Sequence, residues 1–147
     1  MKKLLYIFSL AVLFSSCRAG LDELPLYEES EILNFKLARK DVIEKDPEGK
    51  NDYAYPKVVI TNYSDKQVSL DIDKEAKTVK LVVTADVNLK NVIGICSISR
   101  AATIKPTGDS PKLGFMADWT KPHTYRVTAA DDSFHSDWTI TVTNQKP

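Results

Sequence analysis

Apolar and polar residues alternate with a period of two along much of this chain. In residues 138–143, a tryptophan, an isoleucine and a valine alternate with threonines, and residues 125–129 alternate in the same way. Successive side chains of a strand point to opposite faces, so this pattern predicts half-buried β-strands. Further segments with this alternation, or with short β-branched runs, are 33–37, 58–60, 68–72, 79–83, 93–99 and 103–105.

Turn-forming residues separate these segments. Asp131-Asp132-Ser133 joins the last two strands and suits a hairpin, and Asp46-Pro47-Glu48-Gly49 is a turn signal. About seven short strands rich in valine, isoleucine and threonine predict an all-β sandwich. Residues 31–45 allow a second interpretation, because the stretch from Glu28 to Lys45 is rich in helix-forming residues and could begin with a helix.

The N-terminus has the pattern of a secretory signal over residues 1–16. Lys2 and Lys3 precede an apolar run, residues 4–14, which is followed by two serines. Eleven helical residues span about 16 Å, which is too short for a hydrocarbon core of about 30 Å. A cleaved signal peptide therefore fits better than a transmembrane helix.

Residues 13–17, Leu-Phe-Ser-Ser-Cys, resemble the lipobox of bacterial lipoproteins. The resemblance implies that the signal is cut before Cys17 and that this cysteine is acylated, which would anchor the chain to a membrane. The alternative is an ordinary cleavage site with a cysteine nearby. Residues 17–30 are predicted to be a solvated tether and residues 31–147 the folded domain. Asp22 and Glu23 are also compatible with a surface-export signal.

Composition excludes several classes of function. The 147 residues contain 20 basic and 20 acidic side chains, so net charge gives no electrostatic reason to bind nucleic acid. Two cysteines cannot form a disulfide-rich scaffold or a four-thiolate metal site. Once Cys17 is acylated, Cys96 is the remaining thiol. It lies in an apolar run, which predicts a buried and unreactive side chain.

A family resemblance is carried by the C-terminal half of the chain. Residues 101–108, 117–122, 125–133 and 138–143 resemble an immunoglobulin-like domain of Bacteroides-type surface lipoproteins, and residues 32–35 resemble its opening strand. Where that family usually has a phenylalanine, this chain has Trp119. The resemblance covers roughly residues 31–143 and implies an immunoglobulin-like β-sandwich at the bacterial outer membrane. It implies carbohydrate binding only loosely, through related proteins that accompany glycan-capture systems.

Catalytic motifs are absent from the sequence. His123 and His135 are its two histidines, and no nucleophile elbow, phosphate loop or His-Glu-x-x-His motif is present. The sequence therefore predicts a non-catalytic protein without a cofactor. Asp131, Asp132, His135 and Asp137 could surround a cation, but this spacing matches no EF-hand loop, and aspartate and serine are common in turns. We therefore expect no metal site.

Aromatic side chains are the candidate sites for a sugar, because a ring face stacks on the apolar face of a pyranose. Trp138 shares a strand face with Ile140 and Val142, and Tyr125 shares one with Val127, so both are predicted core residues. Trp119 is also a predicted core residue. Tyr53 and Tyr55 are the better candidates for a sugar-binding site, because two rings that are two residues apart in an extended loop point the same way.

Tyr63, which lies near the next predicted turn, is a third candidate for a ligand-binding residue. The alternative for all three tyrosines, Tyr53, Tyr55 and Tyr63, is packing at the rim of the sandwich. The sequence thus predicts an envelope lipoprotein that binds a glycan or serves as an accessory module. The alternative is a structural or protein-interaction module with an exposed strand edge or apolar patch.

Overall fold

The computed structural model describes residues 28–43 and 57–145. Nine strands lie in these ranges, together with two short 3-10 helices, Ser64–Lys66 and Leu89–Asn91. The strands are β1 (Ile32–Ile43), β2 (Lys57–Asn62), β3 (Gln67–Asp73), β4 (Thr78–Val83), β5 (Val92–Ile98), β6 (Thr103–Pro106), β7 (Met116–Ala117), β8 (His123–Thr128) and β9 (His135–Asn144).

The strands form two sheets that pack face to face. Sheet A has the order β2-β1-β5-β7, and sheet B has the order β3-β4-β9-β8-β6. All neighbouring strands are antiparallel except β4 and β9, which are parallel. This architecture confirms the predicted all-β sandwich.

The core lies between the two sheets and is built from the inward-facing residues of the alternating segments. Trp119, Trp138, Tyr125 and Phe35 are fully buried there. The Trp119 ring packs against Phe35 at a centroid distance of 5.0 Å and stacks on Tyr125 at 6.2 Å. The prediction that Trp119, Tyr125 and Trp138 belong to the core is confirmed, because all three side chains are fully buried in the core cluster.

Each segment predicted as a strand forms one, and the ends agree within two residues except in two places. The strand β1 continues to Ile43, six residues past its predicted end, and β9 begins three residues before its predicted start. The predicted hairpin is also confirmed, because β8 and β9 pair and the Ala129 amide donates to the Phe134 carbonyl across the turn. The strand β7 was not predicted. The helical alternative for residues 31–45 is wrong, because β1 pairs with β2 on one side and β5 on the other. This pairing overrides local helix propensity.

Ser30 precedes β1 and lies at the end of the segment that the sequence assigned to the tether. It is buried, and its hydroxyl lies 2.7 Å from the Ser136 hydroxyl. The Ser30 carbonyl oxygen accepts a hydrogen bond from Nε1 of Trp138 at 2.9 Å. The chain is therefore fastened to the first residues of β9 just before it enters sheet A.

Candidate functional site

Sheet A presents an apolar outer face. The strand registers place Ala38, Lys40 and Val42 of β1 on this face, because their neighbours of opposite parity, Phe35 and Leu37, point into the core. Cross-strand partners share a face, so the outer face also includes Val58 and Ile60 of β2, Ile93 and Ile95 of β5, and Met116 of β7.

A groove of about 420 Å³ lies on this outer face. Its lining residues are Lys40, Val58, Ile60, Ile93, Gly114, Phe115 and Met116. Ile93 is only 3% exposed although it lies outside the core cluster between the sheets. Ile93 therefore belongs to the deep part of the groove, between the residues of β2 on one side and those of β7 on the other.

The side chains around the groove are unusually exposed for their size. Phe115 is 66% exposed, Ile60 56%, and Val42 and Val58 54% each. Single exposed apolar residues are common on protein surfaces, whereas contiguous apolar patches mark interaction sites. We define the outer-face patch as Val42, Val58, Ile60, Phe115 and Met116.

The loop before β7 positions Phe115 and Met116. Gly114 adopts a φ of +81°, which is in the left-handed region that favours glycine, and its amide donates to the Gly94 carbonyl at 2.9 Å. This hydrogen bond holds the loop against β5. Met116 then pairs with Ile93, so the loop brings two large apolar side chains onto a sheet face made mainly by distant strands.

The charge on the outer face is positive. Lys36 and Lys40 are the charged residues at the outward positions of β1, and the outward positions of β2, β5 and β7 carry no Asp or Glu. Asp41 points toward the opposite face, where its carboxylate accepts a hydrogen bond from Nε of Arg39 at 2.8 Å. The Arg39 guanidinium lowers the pKa of this carboxyl below its usual value.

Of the three tyrosines that the sequence nominated as ligand sites, the structure describes Tyr63, which does not line this groove. Tyr63 is half-buried and packs against the core, and the Arg39 guanidinium lies 5.8 Å from the centroid of its ring. Tyr53, Tyr55 and the predicted lipidation site Cys17 lie outside the described residues. Their roles therefore stay predictions.

Cys96 points into the sandwich from β5 and is partly buried rather than fully buried. Burial raises the pKa of its thiol to about 12, because the apolar surroundings disfavour the thiolate. A thiol with that pKa is protonated at neutral pH and is a poor nucleophile.

The two histidines occupy different environments. His123 is buried, and its Nε2 lies 2.8 Å from the Asp118 carbonyl oxygen, so Nε2 donates this hydrogen bond. Its ring also packs edge-on against Trp119. His135 is exposed at the start of β9. The contacts of His123 are therefore those of a core residue.

The acidic residues near the β8–β9 turn have partners within the protein. Asp131 accepts hydrogen bonds from the amide and hydroxyl of Ser133, and Asp137 forms a two-point ion pair with Arg126 at 2.7 and 2.8 Å. Each contact lowers the pKa of its carboxyl. Within residues 28–43 and 57–145, no group of three or more His, Cys, Asp and Glu side chains is arranged to hold a metal ion.

None of the helices in the described part of the chain is long and apolar enough to cross a bilayer.

Sequence reasoning missed the groove because its residues come from four strands and a loop. One signal was available: residues 92–95 form a continuous apolar run, Val-Ile-Gly-Ile, instead of alternating with polar residues. A continuous run predicts a strand covered on both faces. The outer face of β5 is covered by Phe115 and by Met116, the first residue of β7.

Comparison with known proteins gives a family and a structural likeness. The sequence model of a family described as DUF5018-related matches residues 46–141. The crystal structure of a candidate secreted protein from Bacteroides fragilis is similar, with a TM-score of 0.65 and 30% identity; the match covers 83% of this chain and 100% of that one. No curated protein matches the sequence.

A second solved structure shares the fold at lower identity. It is a candidate glycoside hydrolase from Bacteroides thetaiotaomicron, with a TM-score of 0.53 and 20% identity. The match covers 87% of this chain but only 28% of that chain. The same sandwich therefore occurs there as one part of a longer protein.

Proposed function

The chain belongs to the DUF5018-related family, and from that premise we propose that it is a non-catalytic accessory module of the bacterial envelope that binds a protein partner. The observation that carries this proposal is the apolar groove on the outer face of sheet A. The similar candidate secreted protein of Bacteroides fragilis supports a location outside the cytoplasm. Acylation of Cys17, implied by the lipobox resemblance, would hold the module at the outer membrane.

The chemistry of the groove favours a protein over a sugar. Lys40 is the one charged or polar side chain among its seven lining residues. A sugar would bury hydroxyl groups there with few hydrogen-bond partners, and an unsatisfied polar group costs about 1–3 kcal/mol. An apolar protein surface brings no hydroxyl groups of its own that would be left unsatisfied there, and it gains from the burial of the outer-face patch.

Glycan binding is the second candidate function. Two observations favour it: the exposed Phe115 ring can stack on a pyranose, and the fold also occurs within a longer candidate glycoside hydrolase chain. In this case Tyr53 and Tyr55, or Tyr63, would supply further contacts, as the sequence predicts.

Photo-crosslinking in intact bacteria tests the proposed binding face. A photoreactive phenylalanine at position 60 is expected to give one discrete adduct, because Ile60 lies at the groove. The matched control is the same residue at position 68, because Val68 is also an exposed β-branched residue on an edge strand, but of sheet B. Position 68 is expected to give no discrete adduct.

The composition of the adduct decides between the candidates. An envelope protein as the cross-linked species, lost when Phe115 and Val58 are both replaced by serine, supports the proposal. Carbohydrate in the adduct would select glycan binding instead. Equal products from positions 60 and 68, or none from position 60, would remove the groove as a binding site.

A further inference from the structure

Resting on the proposed function, the geometry points to a partner segment in which apolar side chains lie between carboxylates. The outer face carries positive charge within an apolar surface. The position of that charge specifies the chemistry that the partner must present, in addition to the face that it covers.

Lys40 emerges from the middle of the apolar surface. Across the strands its neighbour is Ile60, and along β1 the adjacent outward residues are Ala38 and Val42. No described residue forms an ion pair with its ammonium group. A partner that covered the groove with apolar groups alone would strip water from this charge without replacing it, which is unfavourable.

A carboxylate on the partner would compensate for the water that the Lys40 ammonium group loses when it is covered. It would pair with Lys40 while the neighbouring apolar groups contact Ile60 and Phe115, and the ion pair would be screened less once water is excluded. The methylene stem of lysine can also lie along the apolar surface while its ammonium meets the carboxylate.

Lys36 is a second positive charge on the outer face, and it requires a second carboxylate on the partner. It lies two outward positions before Lys40 on β1, with Ala38 between them. Four strand residues span about 13 Å along the backbone, so the two lysines are separated by an interval of about that length at their Cα atoms, with Ala38 between them. The complementary segment therefore carries two carboxylates separated by apolar side chains. In an extended peptide, this spacing corresponds to positions four residues apart.

The probes that test this inference are three synthetic nine-residue peptides with the same apolar residues. Two positions, four residues apart, are glutamate in the first peptide, glutamine in the second and lysine in the third. Binding to the full-length chain, purified in detergent from membranes, is measured by fluorescence anisotropy at low and high salt. The glutamate peptide is expected to bind about tenfold more tightly than the glutamine peptide, and added salt is expected to reduce this difference.

Charge reversal at both lysines gives the sharpest outcome. In the double variant Lys36→Glu, Lys40→Glu the preference is expected to invert, so that the lysine peptide binds more tightly than the glutamate peptide. A misfolded variant would lose binding to all peptides but could not invert their order. The matched control is Lys80→Glu, since Lys80 is an exposed mid-strand lysine on sheet B. It is expected to leave the order unchanged.

Two results would overturn the inference. The first is equal affinity for the three peptides, or an order that the double variant Lys36→Glu, Lys40→Glu leaves unchanged. The second is sedimentation of the chain as a dimer that Ile60→Ser converts to a monomer, because the groove would then accept a second copy. The peptide result alone would not remove the proposed function. The proposed function fails separately, if position 60 gives no specific cross-link in cells.

Discussion

Replacing Gly94 with alanine is expected to destabilise the domain by about 3 kcal/mol or more, which is a large part of the 5–15 kcal/mol typical of a folded domain. A Cβ built on Gly94 would lie 2.2 Å from Cζ2 of Trp119, and 2.8 Å from two further atoms of that ring. Carbon atoms do not approach so closely, so the indole or β5 must move.

The surroundings of Trp119 explain why movement is costly. The indole is fully buried and lies against Phe35, Tyr125 and His123. Aromatic rings in a close-packed core have no free volume into which to shift, so added atoms force strain into the neighbours. The expected result is a lower urea midpoint with an unchanged slope.

The control for Gly94→Ala is Gly108→Ala. Nothing lies within 4 Å of a Cβ at Gly108, although its φ of +61° adds a modest backbone strain. That variant is expected to lose only about 1 kcal/mol. A double-mutant cycle with Trp119→Phe is expected to show coupling, because the smaller ring relieves the clash. Equal losses for Gly94→Ala and Gly108→Ala would contradict the packing described here.

Replacing Trp138 with alanine is expected to cost about 3–5 kcal/mol, the usual range for a large aromatic residue in a core. The side chain is fully buried, and its Nε1 donates to the Ser30 carbonyl at 2.9 Å and lies 3.0 Å from the Ser136 hydroxyl. The substitution therefore removes both packing and one of the hydrogen bonds that hold the segment before β1. Urea unfolding measures the loss.

Trp138→Phe separates these two contributions. It keeps an aromatic ring but removes the Nε1 donor, so that the Ser30 carbonyl retains only the hydrogen bond from the Ser136 hydroxyl. Loss of one such hydrogen bond is expected to cost about 1 kcal/mol. Hydrogen exchange at residues 30 and 31 is expected to accelerate more than exchange at β4 and β8. Wild-type exchange at these two residues in Trp138→Phe would show that the hydrogen bond does not hold this segment.

The strands were predictable where burial affects one face only. On β9, Trp138, Ile140 and Val142 face the core while the residues between them do not, so the alternation in the sequence reports the fold directly. The same logic identified Tyr125 and Val127 on β8. When successive side chains face the core and water in turn, apolar and polar residues alternate in the sequence. This alternation predicts a strand without any knowledge of its pairing partners.

The groove was not predictable because it depends on which strands are neighbours. Lys40, Ile60 and Ile93 are far apart in sequence and meet only because β1 pairs with both β2 and β5. Local alternation cannot specify these long-range pairings. The two-residue strand β7 is too short to carry any periodicity, yet it brings Met116 beside Ile93.

The proposed role depends most on the chain being held at the bacterial envelope. Intact mass spectrometry of the protein purified from the membranes of its native bacterium tests this claim directly. The account predicts that the chain begins at Cys17 and carries the added mass of several acyl chains, and that Cys17→Ser leaves the membrane fraction. A chain that retains residues 1–16, or that has an unmodified Cys17, would contradict it.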